Sequence, residues 1–343
     1  MIPILFAFMI PVFFLLGASR ILAHINEWEP REAYPAEYGA YLPANRRFVN
    51  YIIRLFTNES APDTNSCTEA QTVYIQIDDV SVTQMDGARS VAPSTCALDE
   101  LDELLLRHGN DISVFFENIE TGFVYRYNAD RIYFSASVPK AAYALYIYQL
   151  AEQGLADLAG VHTFTSADAM GGSGIIFHNY PLGTRFTLRE LLRLNLSESD
   201  NSATLMLRRL HGLEGYKRFI EDLGLNPNRV GNRIMNSNLT ANEAGLAARA
   251  IFEYIESGGR YSQEFKAHLL DNQFPFIVSD YPVASKTGWT RPYAWHDMAI
   301  VYAPSPFVLV ILSARDGWRD SDFADFAEIS MAFQEFNDAW FGE

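Results

Sequence analysis

Cysteine is close to absent from this sequence: Cys67 and Cys96 are the only two among 343 residues. No Cys/His cluster has zinc spacing, so no structural metal is indicated. Basic residues are also outnumbered, 26 Lys and Arg against 42 Asp and Glu, giving a formal charge of −16. A chain this acidic repels phosphate backbones and anionic headgroups, which argues against nucleic-acid binding and adsorption to a membrane surface. Internal repeats and low-complexity tracts are missing too. What is present is ordinary globular composition, 49% apolar and 20% charged, enough for a packed core. The length fits two modest domains, or one large domain with an appendage.

Charge is missing altogether before Arg20, and Met1 to Leu16 are almost wholly apolar, interrupted by Pro3 and Pro11. This reads as an export or anchoring element. A membrane span needs about 20 apolar residues, and the run to Ile21 barely supplies them. The missing basic n-region counts against a signal peptide, whereas Gly17-Ala18-Ser19 offers a cleavage site. Residues 1–23 are therefore expected to be a retained anchor, with a cleaved signal as the alternative. The remainder would be extracytoplasmic, tethered to the cell membrane or secreted. Residues 24–96 look like a stem, with Pro30, Pro35, Pro43, Pro62 and a polar run from Asn58 to Asn65. Within it Val73, Ile75 and Ile77 alternate as in a half-buried strand. Both cysteines lie in this stem; in an exported chain an even pair reads as a disulfide, the alternative being two unpaired thiols.

From Ala97 onward the periodicities are those of a folded domain. Leu98, Leu101, Leu104 and Leu105 have helical spacing before Gly109. Residues 113–116 and 123–127 predict a hairpin across Thr121-Gly122. Next, Phe134-Ser135-Ala136-Ser137-Val138-Pro139-Lys140 runs into an apolar helix ending near Gly154. With Pro139 in its first turn, Ser137 and Lys140, three apart, would share one face. Burial of that helix would disfavour the charged form of Lys140 and free it to take a proton. Helical signals continue to about Gly258, with capping boxes at Thr187/Glu190 and Thr240/Glu243. Three strand-like runs follow at 283–288, 298–302 and 307–312, then an amphipathic helix with Ser321 as its expected N-cap. The order places both ends of the domain against one sheet that encloses a helical lobe.

A lone Ser-x-x-Lys is a weak signal. Here Ser137-Val138-Pro139-Lys140 is followed by Ser199-Asp200-Asn201 and by Lys286-Thr287-Gly288, in the order and rough spacing of one motif set. On these residues the segment from about Ala97 to Glu343 resembles the penicillin-recognising serine hydrolases, closest to the class A β-lactamase domain. The resemblance implies an α+β fold: a five-stranded antiparallel sheet flanked by helices, with an inserted all-helical lobe. It implies Ser137 as nucleophile toward a lactam or D-alanyl carbonyl, Lys140 as its base, and Ser199 as the relay to the leaving nitrogen. Asn201 would hold the side-chain amide of the substrate, while Lys286 and Thr287 would attract its carboxylate and Gly288 would allow close approach. The oxyanion would rest on the N–H groups of Ser137 and Trp289. Asp200 would brace its turn, and neither a metal nor an organic cofactor is needed.

One part of the family pattern is missing. Class A enzymes resemble one another in a Glu-x-x-Leu-Asn loop whose glutamate activates the deacylating water, but residues 224–239 contain no carboxylate. Glu243 is the nearest candidate and is better explained by its capping box; nothing aims Glu198 at an acyl carbon. Three activities therefore stay open: β-lactam hydrolysis, D-Ala-D-Ala carboxypeptidase or transpeptidase activity, and one-time acylation by a sensor. Gly171-Gly172-Ser173-Gly174 lacks the ending of a phosphate loop and reads as a flexible loop. His296 and Arg291 compete as the basic residue facing the substrate carboxylate, a structural role being equally open for His296. The sequence gives no oligomeric state.

Overall fold

The computed structural model describes residues 93–315 and 320–342. The expected anchor, most of the stem, the Val73–Ile77 strand and Cys67 lie outside these residues. Helix α1 (Thr95–His108) begins at Ser94, whose side chain accepts from the Ala97 N–H, and ends at Gly109. The predicted hairpin follows as β1 (Ile112–Asn118) and β2 (Val124–Tyr127), in antiparallel register from Val114 opposite Tyr127 to Glu117 opposite Val124. A two-residue strand β3 (Tyr133–Phe134) leads to helix α2 (Lys140–Glu152).

The inserted segment is mainly helical. It contains β4 (Val161–Thr163), α3 (Ile176–Asn179), β5 (Arg185–Thr187), α4 (Leu188–Ser197), α5 (Asn201–His211) and α6 (Glu214–Asp222). Two 3-10 turns, Pro227–Arg229 and Ile234–Asn236, precede β6 (Asn238–Leu239), α7 (Ala241–Glu256) and α8 (Ser262–Leu270). Both predicted capping boxes form, Thr187 with Glu190 and Thr240 with Glu243. Strand β6 pairs with β3, tying the insert back to the residues just before Ser137.

The chain returns through β7 (Val283–Thr290), β8 (Ala294–Val301), β9 (Phe307–Ser313) and α9 (Asp320–Phe341). Helix α9 starts one residue before Ser321, which therefore lies inside it rather than capping it. The sheet order is β2-β1-β9-β8-β7, with every neighbouring pair antiparallel. The five-stranded α+β fold stands as the sequence predicted.

Sheet pleating sorts the core into two layers. On β9, Leu309 and Ile311 point with Val114 and Phe116 of β1 toward α1 and α9, meeting Leu101, Leu105, Phe326, Ile329 and Phe333. Val308, Val310 and Leu312 point with Phe115 to the other side, into the layer that holds α2, α4 and α7. That is why β9 reads as an unbroken apolar run: both its faces are buried. Gly245 permits the close packing of α7, since a Cβ there would lie 2.3 Å from the Phe115 ring.

Candidate active site

The Ser137 turn is pinned before the helix begins. Ser135 donates from its N–H and its hydroxyl to the Ser237 carbonyl, both at 2.9 Å. Ala136 sits in the left-handed region at φ 46°, a conformation that costs an alanine about 1–2 kcal/mol and turns the chain sharply into Ser137. Residues 136–139 form a tight turn, with Lys140 N–H donating to the Ser137 carbonyl at 3.2 Å. Helix α2 starts only at Lys140, and Pro139 caps it without a side-chain bond. Ser137 is therefore neither a helical residue nor an N-cap; the i, i+3 relation to Lys140 is carried by the turn instead. The Ser137 side chain is half-buried, whereas Lys140 is fully buried.

The Ser199-Asp200-Asn201 motif occupies the break between α4 and α5. Glu198 caps the end of α4, and Ser199 takes a left-handed φ of 53° that reverses the chain. Asp200 caps α5 by accepting from Ala203 N–H at 2.8 Å, and its other oxygen accepts from Ile175 and Ile176 N–H, each at 2.7 Å. This is the bracing role expected of it. Lys140 Nζ lies within hydrogen-bond reach of the Ser199 carbonyl, of the Ser199 hydroxyl at 3.3 Å and of Asn201 Oδ1 at 2.8 Å. Lys286 donates to the same Ser199 hydroxyl at 2.9 Å, and to the Thr287 carbonyl. Four of the predicted residues, Lys140, Ser199, Asn201 and Lys286, are thus directly hydrogen-bonded in one group. Among the described residues the Ser137 hydroxyl makes no hydrogen bond, so the two lysines converge on Ser199 rather than on Ser137.

Electrostatics follow from this geometry. Burial and then the repulsion of Lys286 hold the Lys140 amine well below the ordinary lysine range, with Asp200 opposing. Burial lowers Lys286 to about 7, with Asp297 opposing. Neither lysine has a carboxylate within hydrogen-bond reach among the described residues. A neutral amine at Lys140 is a competent proton acceptor, and a partly protonated Lys286 keeps positive potential on the same hydroxyl.

Strand β7 lies at the sheet edge and carries Lys286, Thr287, Gly288 and Trp289. Gly288 packs directly on the Ser137 turn: a Cβ there would lie 2.7 Å from Ser137 N and 2.8 Å from Val138 N. Only glycine admits this approach. Thr287 is buried and Trp289 half-buried beside it. His296 does not face a substrate carboxylate. It is fully buried on β8, donates from Nε2 to the Phe134 carbonyl at 2.8 Å and accepts from Ser313 N–H at Nδ1. Burial lowers its pKa to about 4, so it is neutral and structural. Arg291 lies exposed at the β7–β8 turn.

The glycine-rich segment is not a flexible loop. Gly171 carbonyl accepts from Asn201 Nδ2 at 3.0 Å, and Ser173 carbonyl accepts from Asn201 N–H at 3.1 Å. Gly174, at φ 100°, lies so close that a Cβ would be 2.3 Å from Asp200 Cα. The segment is a cradle for the Asp200-Asn201 pair, and that contact explains Gly172 and Gly174, whereas a Cβ at Gly171 would meet the Phe177 ring. Composition alone could not separate a mobile loop from one pressed against a neighbour.

Asn195 was also missed by motif reading. It is buried on α4, donates to the Lys140 carbonyl at 3.2 Å and accepts from Thr204 Oγ1 at 2.8 Å. Its signal was an amide on an otherwise leucine-lined stripe with Leu188, Leu191 and Leu192. The carboxylate-free stretch 224–239 is held from outside by Glu243. One Glu243 oxygen accepts from Asn226 N–H at 3.0 Å; the other accepts from Thr240 N–H at 3.0 Å and pairs with Arg229.

A family model described as the β-lactamase enzyme family matches residues 97–335. Among solved structures, a β-lactamase from Chitinophaga pinensis DSM 2588 is 20% identical, with 71% of this chain and 99% of that chain covered and a TM-score of 0.61. A β-lactamase from Sphaerobacter thermophilus DSM 20745 is 21% identical over 71% of this chain and 96% of its own, also at TM-score 0.61. PBP-A is 18% identical over 71% of this chain and 97% of its own, at TM-score 0.62. A variant of PBP-A is known as an acyl-enzyme complex with penicillin G.

Proposed function

Because the chain belongs to the β-lactamase enzyme family, we propose that it is a penicillin-recognising serine acyltransferase that forms an acyl-enzyme on Ser137 and passes the acyl group to water only slowly. Ser137 Oγ attacks the lactam or D-alanyl carbonyl while its proton moves to the neutral Lys140 amine, directly or through water. The oxyanion rests on the N–H groups of Ser137 and Trp289. When the C–N bond breaks, the leaving nitrogen takes its proton through the Ser199 hydroxyl, which both lysines touch. Lys286 and Thr287 receive the substrate carboxylate, and Asn201 the side-chain amide.

The observation that carries slow release is the state of Glu243. The loop beside the Ser137 turn has no carboxylate, and the nearest one past its end has both oxygens committed to Asn226, Thr240 and Arg229. A water at the acyl carbon then lacks a general base. This favours a D,D-peptidase or transpeptidase over an efficient β-lactamase. The charge-free N-terminal stretch favours an exported, membrane-tethered enzyme with access to cell-wall peptides. Among the described residues no helix is long and apolar enough to cross a membrane.

A fluorescent penicillin and a chromogenic cephalosporin test the reading together. Label that survives denaturation, with negligible cephalosporin turnover, is the expected result. Rapid turnover without trapped label would overturn slow release. Equal absence of label on wild type and on Ser137→Ala would overturn acylation itself.

A further inference from the structure

Between Arg233 and Ser237 the chain crosses from one side of the candidate site to the other. At one end, Arg233 Nη1 lies 3.8 Å from Met170 Sδ. Met170 N–H donates to the Ser202 hydroxyl at 3.0 Å, and its neighbour Gly171 accepts from Asn201 Nδ2. At the other end, the Ser237 carbonyl takes both bonds from Ser135, two residues before the nucleophile. The intervening 3-10 turn buries Ile234 and Met235 and leaves Arg233 and Asn236 exposed. This segment therefore walls the site between Asn201 and Ser137, and the charge it offers is a guanidinium.

That guanidinium is uncompensated. Among the described residues Arg233 makes no ion pair, whereas Arg229 of the same loop is matched by Glu243. Residues 224–242 contain no acid that could neutralise it. The surrounding chain carries −16 and would repel an anionic ligand, so a local cation at this wall changes which ligands can approach. A planar guanidinium presents a fork matched to a carboxylate.

We propose that Arg233 is a specificity-determining residue that selects acyl donors whose acyl side chain carries a carboxylate, such as an acidic peptide side chain. The inference rests on the acylation reading above, which puts the donor's side-chain amide at Asn201; Asn201 donates to Gly171, the neighbour of the Met170 that Arg233 touches. A solvent-exposed pair of this kind is worth about a twofold to fivefold preference, and salt weakens it.

Benzylpenicillin and carbenicillin, which differ by one side-chain carboxylate, isolate that preference when Ser137 labelling is timed by intact-protein mass spectrometry. The readout is the ratio of the two acylation rates. Arg233→Gln is expected to lower the carbenicillin-to-benzylpenicillin ratio about twofold to fivefold, Arg233→Glu to lower it further, and Arg233→Lys to retain part of it. An unchanged ratio in both Arg233→Gln and Arg233→Glu, with both penicillins still labelling Ser137, overturns the role of Arg233 alone. No labelling of wild type by either compound overturns the acylation reading, and this inference with it.

Discussion

Lys140 and Lys286 share a hydroxyl acceptor and have no carboxylate oxygen in hydrogen-bond reach among the described residues, whereas His108 has a carboxylate oxygen at each ring nitrogen. His108 ends α1, and Asp325 and Glu328 are one turn apart on α9. Its Nδ1 lies 3.4 Å from Asp325 and its Nε2 3.3 Å from Glu328, so the doubly protonated ring faces a carboxylate on each side. The outer oxygens of the same acids are taken by Arg315 and Arg107. Hydrogen bonds to Asp325 and Glu328 raise His108 to about 9 against burial. The contrast teaches what decides the state of a buried base. Burial, joined at Lys140 by repulsion from Lys286, drives the lysines toward neutrality, and paired acids hold the histidine charged, where it joins two helices.

The largest effect that would break this contrast is at Lys140. Lys140→Ala removes the proton acceptor and should slow penicillin labelling about 10³-fold. Lys140→Arg should not rescue it, because a guanidinium stays charged; rescue would show that charge and not basicity matters there.

Gly174→Ala tests whether the cradle holds the lysine acceptors in place. It introduces a Cβ 2.3 Å from Asp200 Cα at a left-handed φ, and should cost about 2–4 kcal/mol in denaturant unfolding while slowing acylation. A stable, fully active variant would mean that the loop moves aside freely.

His108→Gln should show the opposite pH dependence from the lysines. A shift from 6.5 to about 9 is nominally about 3 kcal/mol. Glu328 is 43% exposed, so solvent screening reduces this to about 1–2 kcal/mol. The folded pKa is raised, so this stability is fully present below about 6.5 and is lost as pH rises through about 9. The difference in unfolding free energy between wild type and His108→Gln should therefore shrink from pH 6 to pH 10; a constant difference would sink the imidazolium assignment.

Lys286→Met sharpens the same comparison from the side of the unpaired bases. The folded pKa of Lys286 is lowered to about 7, so this buried cation weighs against folding below that pH and the penalty fades as pH rises toward 10.5. The variant should gain about 4 kcal/mol at pH 6 relative to pH 10 in chemical denaturation, while losing acylation activity. A loss of stability at pH 6 would mean that the ammonium is better paired than its contacts indicate.

The sequence by itself determined the parts of this protein set by local rules. Period-2 and period-3.6 patterns placed the hairpin, the late strands and the apolar α2, side-chain caps placed α4 and α7, and three short motifs at their spacing selected Lys140, Ser199, Asn201 and Lys286. Only the tertiary structure decided which groups meet. That Ser137 sits in a turn ahead of its helix, that Gly171 to Gly174 is pressed against Asp200 and Asn201, that His296 is buried between Phe134 and Ser313, and that Glu243 is spent on Arg229 all depend on residues from other elements, 14 or more positions away. Periodicity reports which face of a segment is buried, but not what covers it. For a buried base, its neighbours set the balance between desolvation and pairing, and so decide between a proton carrier and a structural cation.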